Sequence, residues 1–207
     1  MFIVVTGGSG SGKSEFAENL AVQIHKEQLA RMKNFTSANQ EQRDVHIPAL
    51  YYVATMHPYD NESRNRIRRH RQQRDGKGFV TLEQATELEK IETECSDILL
   101  LEDLSNLLAN EMYLQTGRIK ARDAGMIPQM ERAVLSPILQ LVKQMESVVL
   151  VTNEIFSDGM EYEEETIRYL ELLGSLNQHL AKAADSVVEV VCGIPVWQKQ
   201  IFKGKDC

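Results

Sequence analysis

Apolar and polar positions along the chain follow two alternating patterns. Five short runs, 2–6, 49–54, 98–101, 147–152 and 186–191, are nearly continuous in branched and other apolar residues. Runs of that length and composition predict parallel strands covered on both faces. Between them lie stretches with helical character, at about 13–30, 61–74, 83–94, 104–116, 129–145 and 161–183. Strands alternating with helices imply crossover units. The predicted fold class is therefore α/β, with a mostly parallel central sheet and flanking helices. Residues 196–202 could add a short edge strand, although Pro195 and the nearby lysines argue against it.

The polar stretch 31–46 carries Asn, Gln and Ser without a clear period, which predicts a helix end running into a surface loop. Strands on both sides of it belong to one sheet, so it is not a boundary, and the 207 residues read as one domain, 1–207.

A hydrophobic content of 43% with 26% charged residues excludes collagen-like, mucin-like and wholly disordered chains. The net charge of −7 works against nucleic acid or an anionic membrane as partner, so any polyanion contact must come from a local basic cluster. A small phosphorylated ligand fits better. Cys95, Cys192 and Cys207 are odd in number and form no C-x-x-C pair, which points to reduced thiols and a cytoplasmic setting rather than zinc or a redox dithiol. No apolar run approaches the roughly 18 to 20 residues of a bilayer span, and residues 1–5 lack a charged n-region. The expectation is a protein that stays inside the cell.

The most specific motif lies at the amino end. Gly7, Gly8, Ser9, Gly10, Ser11, Gly12, Lys13 and Ser14 fit G-x-x-x-x-G-K-[ST], after an apolar strand and before a helical pattern. Glycines let backbone N–H groups turn inward around phosphate oxygens, and the helix start adds its positive dipole end. Lys13 is expected to reach the β- and γ-phosphates, and Ser14 to hold Mg²⁺. The bland reading is a glycine-rich turn with an incidental lysine. A further carboxylate for the magnesium shell is expected at the end of a hydrophobic strand, and Glu102 stands there, with Asp103 available to cap the next helix.

Between Arg64 and Arg74 six arginines surround His70 in an otherwise acidic chain. A spacing of four puts Arg66, His70 and Arg74 on one helical face. Neighbouring guanidinium groups disfavour the imidazolium, which would leave His70 neutral and nucleophilic. From the residues alone three readings stay open: a solvated basic face, a nucleic-acid-binding helix, or an imidazole that attacks a nucleotide phosphorus. The absence of interleaved aromatics weakens the second. His25, His46 and His179 read as surface residues, and His57, before Pro58 at a strand end, could border the site.

Taken together, these residues resemble the bifunctional adenosylcobinamide kinase and adenosylcobinamide-phosphate guanylyltransferase family of cobalamin biosynthesis. The likeness is carried by Val4, Val5 and Thr6 leading into the P-loop, Tyr52 to Thr55, Arg66, Ile67, His70 and Arg74. It continues through Leu100, Leu101 and Glu102, then Thr152, Asn153 and Glu154, Leu176 to Gln178, Ala183 to Asp185 and Gly193 to Pro195. The resemblance implies a P-loop NTPase-type three-layer fold, a homotrimer and two reactions. A nucleoside triphosphate, ATP or GTP, phosphorylates the aminopropanol hydroxyl of adenosylcobinamide. GTP then transfers GMP to a histidine and onward to adenosylcobinamide phosphate. The histidine falls on His70. Nucleotide contacts fall on Gly7, Gly8, Ser9, Gly10, Ser11, Gly12, Lys13, Ser14, Ala54, Thr55, Met56, Arg71, Gln72, Gln73, Arg74, Glu83 and Glu102, with Ser14 and Glu102 also at the Mg²⁺.

The chain departs from the family pattern in three places. Residues 155–162 replace a glycine-rich, proline-ended stretch and bear on the corrinoid acceptor. Asp103 stands where a cysteine is common, and Asn106 where threonine is usual. The stretch 31–46 is longer than the link expected there. Two rival readings stand beside this one: a P-loop kinase acting on another hydroxyl without guanylyl transfer, its arginines merely clamping phosphate, and a nucleotide-dependent switch protein.

Overall fold

A computed structural model describes residues 1–39, 46–157 and 159–200. The elements run β1 (Phe2–Thr6), α1 (Lys13–Asn39), β2 (Leu50–Ala54), α2 (Asn61–Arg74), β3 (Val80–Glu83), a single 3₁₀ turn (Leu88–Lys90), β4 (Ile98–Glu102) and α3 (Leu104–Tyr113). They continue with α4 (Met126–Met130), a π-helical segment (Glu131–Leu135), α5 (Ser136–Gln144), β5 (Ser147–Val151), α6 (Glu164–Ala183), β6 (Ser186–Val191) and β7 (Ile194–Gln200). The strands form one sheet in the order β3-β2-β4-β5-β1-β6-β7. All pairings are parallel except β6 with β7. Helices cover both faces of this mostly parallel sheet, a three-layer α/β architecture, and the glycine-rich motif of residues 7–14 leaves the end of β1.

The period of two in a strand decides the layers. Ile3, Val5, Ile98, Leu100, Val149 and Val151 point to one face, where they pack with Ala17 and Ala21 of α1. Phe2, Val4, Leu99, Leu101, Val148 and Leu150 point to the other, where Leu104, Leu107 and Leu108 of α3 and Leu172, Leu173, Leu176 and Leu180 of α6 cover them. Apolar residues on both faces explain why these strands read as continuous runs. Burying each such side chain is worth about 1.5–3 kcal/mol. No helix among the described residues is long and apolar enough to cross a membrane.

Several expected boundaries differ. No helix spans 83–94: β3 ends at Glu83 and only the 3₁₀ turn follows. β3 went unforeseen because it is an edge strand, with Val80, Thr81 and Glu83 exposed, so it carries no apolar run. In the stretch 31–46, expected as a helix end running into a surface loop, α1 continues to Asn39, and 40–45 lie outside the described residues. The helix expected at 104–116 stops at Tyr113, and the one expected at 161–183 starts at Glu164. The helix expected over 129–145 begins at Met126, passes through the π segment and ends at Gln144. At the carboxyl end β7 starts at Ile194 and includes Pro195, which an edge position tolerates; residues 201 and 202 lie outside the described residues.

Candidate active site

The carboxyl ends of β1, β2, β3 and β4 bring the chemistry together, as expected of an open α/β sheet. Residues 7–14 leave the end of β1. Gly7 has φ +152°, and a Cβ there would sit 2.5 Å from the Val190 carbonyl oxygen and 2.7 Å from Ser11 Oγ. No side chain fits at that point. Gly12 has φ +88°, and a Cβ on it would meet Gly193 Cα at 3.3 Å, so the turn between β6 and β7 packs directly on the P-loop. The Gly193 amide donates to the Ser11 carbonyl at 2.8 Å, and α1 begins with Phe16 N–H donating to Gly12 O at 3.0 Å.

Lys13 is buried and its ammonium donates to the Gly8 carbonyl at 3.0 Å, curling back across the loop. Burial pushes its pKa down, against the pull of Asp103 and Glu102. Glu102, the last residue of β4, is pushed up to about 7 by burial, with Asp103 and Glu18 adding to the rise; a hydrogen bond from Ser14 and the charge of Arg74 oppose it. Its Oε2 is fully enclosed and has no hydrogen-bond partner. An orphaned carboxylate oxygen beside a serine hydroxyl and a lysine suits a divalent cation that arrives with phosphate oxygens. Among the described residues no three His, Cys, Asp or Glu side chains could hold a metal by themselves. A cation here would therefore draw most of its ligands from the nucleotide and water.

Ala54 ends β2 and lies in register with Glu83 on one side and Glu102 on the other. Thr55 follows, fully buried, its hydroxyl donating to Asp103 O at 2.9 Å and accepting from Asp103 N–H at 2.7 Å. Met56 is partly buried beside it. Asp103 caps α3: its Oδ1 accepts from Asn106 N–H at 2.7 Å and from Ser105 Oγ at 2.9 Å, while its Oδ2 accepts from Asn153 Nδ2 at 3.1 Å.

Helix α2 starts with a capping box between Asp60 and Ser63, which explains why so polar a segment is helical. Its carboxyl end carries the arginines expected at the site. Arg74 is 6% exposed, with its guanidinium 3.5 Å above the Tyr52 ring and Nη1 buried without a partner. A stacked, underused guanidinium suits an anion. Arg71 pairs with Glu83 at 2.7 Å, whereas Gln72 and Gln73 lie on the exposed side of the helix. Arg66 turns outward to Glu62 at 2.8 Å and does not join Arg74.

His70 is half-buried and its Nδ1 is enclosed without a partner. Its pKa is lowered first by burial and then by Arg74, with a smaller contribution from Arg69, while Glu18 and Asp103 push it back up. The arginines thus act in the expected direction, but desolvation leads. Of the other histidines, His46 contacts Asp97 at 2.8 Å, half-buried His25 contacts the Pro48 carbonyl at 2.8 Å, and exposed His179 contacts the Ser175 carbonyl at 2.8 Å. His57 packs its ring on Tyr59, with centroids 4.8 Å apart.

One residue that sequence reasoning missed belongs to this cluster. Glu18, one turn beyond Ser14 on α1, is 2% exposed and accepts from Lys77 Nζ at 2.6 Å. Its position four residues after the P-loop serine was the available signal. Beside the P-loop, Glu154 N–H donates to Gly7 O at 3.1 Å, tethering the segment that departs from the family pattern. Ile155, Phe156, Met160, Tyr162, Ile167 and Leu170 line a cleft of about 480 Å³ there; Asp158 lies outside the described residues.

Comparison with known proteins bears on this arrangement. The family described as "Cobinamide kinase / cobinamide phosphate guanyltransferase" matches residues 3–197. The "Bifunctional adenosylcobalamin biosynthesis protein CobU" of Escherichia coli (strain K12) is 31% identical over 204 residues, covering 95% of this chain and 98% of that one. The protein of the same name from Salmonella typhimurium is also 31% identical, with the same coverage of 95% and 98%. Among solved structures, an ATPase domain gives a TM-score of 0.45 at 7% identity, over 91% of this chain and 68% of the other. The flagellar accessory protein FlaH from Methanocaldococcus jannaschii gives 0.41 at 14%, over 96% and 78%.

Proposed function

The chain belongs to the cobinamide kinase / cobinamide phosphate guanyltransferase family, and on that footing we propose a cytoplasmic, Mg²⁺-dependent enzyme with two activities in cobalamin biosynthesis. It phosphorylates the aminopropanol hydroxyl of adenosylcobinamide, using ATP or GTP. It then transfers GMP from GTP to adenosylcobinamide phosphate through a guanylyl-His70 intermediate. The observation that supports the reading is geometric: Arg74, one turn past His70 on α2, stacks 3.5 Å over Tyr52 of β2, two residues before Ala54, whose register partner is Glu102 at the end of β4.

In the kinase step the inward-turned amides of residues 7–14 and Lys13 hold the β- and γ-phosphates. Ser14 and Glu102 would hold Mg²⁺, which when bound neutralises charge on the transferring phosphates. In the transfer step Arg74 and Arg71 clamp phosphate oxygens, and Ala54, Thr55, Met56, Gln72, Gln73 and Glu83 line the nucleotide's approach. His70, kept neutral by burial, has a free electron pair for the α-phosphorus. The cleft that Ile155, Phe156 and Leu170 line, with Glu161 also in its wall, is a suitable surface for the corrinoid acceptor. The enzyme works as a single domain assembled into a homotrimer.

Incubation with GTP labelled at the α-phosphorus tests the reading. The expected result is an acid-labile, base-stable protein adduct that is absent from His70→Ala. Label retained in that variant, or no adduct with wild type, overturns the guanylyl-histidine step and leaves a kinase.

A further inference from the structure

The residue-level mechanism leaves Glu18 without a task, although its carboxylate is almost completely buried. A buried carboxylate is unfavourable unless its charge is compensated. Its one hydrogen-bonded cation among the described residues is Lys77, which is itself partly open to solvent, at 26% exposure against 2% for Glu18. Lys77 lies in the connection between α2 and β3, three residues past Arg74, whose carbonyl accepts from the Lys77 amide at 3.0 Å. The ion pair thus fastens the carboxyl end of α2, with His70 and Arg74 on it, to the helix that follows the P-loop. Glu18 also acts on His70, Glu102 and Tyr52. The geometry beside those influences is the buried ion pair itself, which ties α1 to the end of α2 that carries His70 and Arg74.

We propose that Glu18 is a positioning residue with an electrostatic duty: with Lys77 it docks α2 over the P-loop, and its negative charge is the counter-ion for His70 when the imidazole carries the nucleotidyl group. The inference rests on the transferase reading above. In that step one ring nitrogen of neutral His70 forms a bond to the α-phosphorus. The bond from that phosphorus to the bridging oxygen breaks, and pyrophosphate leaves with the electron pair. The other ring nitrogen keeps its proton, so the ring is cationic until a phosphate oxygen of the acceptor attacks. The N–P bond then breaks and neutral imidazole returns. His70 Nδ1 is enclosed and has no partner of its own, so the positive charge must be met by the charges around it. Those charges are Glu18 from α1, Asp103 after β4, and Arg74 and Arg69 from α2. Arg74 and Arg69 oppose a cationic ring. Both carboxylates are hydrogen-bonded, Asp103 by Asn106, Ser105 and Asn153 and Glu18 by Lys77, but Glu18 is the one fastened to the connection that ends α2, so its charge is held in place relative to the helix that carries His70.

The test separates charge from shape. Glu18→Gln keeps the side-chain length and still accepts from Lys77, but loses the charge. NMR titration of His70 in the nucleotide-free protein, assigned with His70→Ala, should show its pKa lowered in Glu18→Gln by roughly half a unit or more. Glu18→Asp should restore most of it, and Lys77→Met should not lower it. Formation of the α-phosphorus adduct should slow about 10-fold or more in Glu18→Gln and recover in part in Glu18→Asp. An unchanged His70 titration in a folded Glu18→Gln, or an equal fall in Lys77→Met, overturns the counter-ion role. If wild type forms no His70 adduct, the transferase reading fails, while the titration still decides whether Glu18 and His70 are coupled.

Discussion

At the scale of single residues, burial changes the proton affinity of the groups around the P-loop. Glu102 is the clearest instance. Its carboxyl, with an ordinary value of 4.5, is pushed up to about 7 in the folded chain. The folded state therefore holds a proton that the unfolded state releases, and stability falls as pH rises from about 4.5 through 7. Above pH 7 the cost is present in full, on the order of 1–3 kcal/mol. Glu102→Gln is expected to raise the melting temperature of the nucleotide-free protein at pH 8 and leave it nearly unchanged at pH 5, while phosphoryl transfer is lost. Differential scanning calorimetry at the two pH values checks this. Equal effects at both would show that Glu102 is not held protonated. The motif at residues 7–14 and the strand-ending acid were legible because each is fixed by local sequence. Glu18 was harder to see: its place one turn past Ser14 was the one local signal, and nothing in it says that the chain 59 residues later returns a lysine to it.

At the scale of elements, legibility followed burial. Strands β1, β2, β4, β5 and β6 are recognisable because covering on both faces demands apolar runs. β3 escaped notice because its residues are mostly exposed, and the polar composition of 31–39 concealed the last turns of α1. The P-loop depends on a neighbour that local sequence does not identify. The carbonyl of Val190 on β6 stands where a Cβ of Gly7 would fall. Gly7→Ala must displace β6 or the loop. The expected outcome is a loss of several kcal/mol in urea unfolding, or nucleotide affinity reduced by at least 10-fold where the fold survives. Gly8→Ala is the matched control, since a Cβ there meets nothing within 4 Å. Equal behaviour of the two variants would refute the steric account.

For the whole molecule, the order of strands was not in the sequence pattern, which indicates that strands are parallel but not which ones are neighbours. The observed order puts β1 between β5 and β6, so the P-loop strand is enclosed and the segments after both neighbours touch the loop: Glu154 at Gly7, and Gly193 at Ser11. The second of these contacts has a practical use. Cys192, next to Gly193, is an exposed thiol with φ +50°. A polarity-sensitive dye attached there, with Cys95 and Cys207 changed to serine, would sit one peptide unit from the amide that clasps the phosphate cradle. Its emission is expected to shift when nucleotide arrives and to stay flat in Lys13→Ala, making the final hairpin a native optical gauge of occupancy.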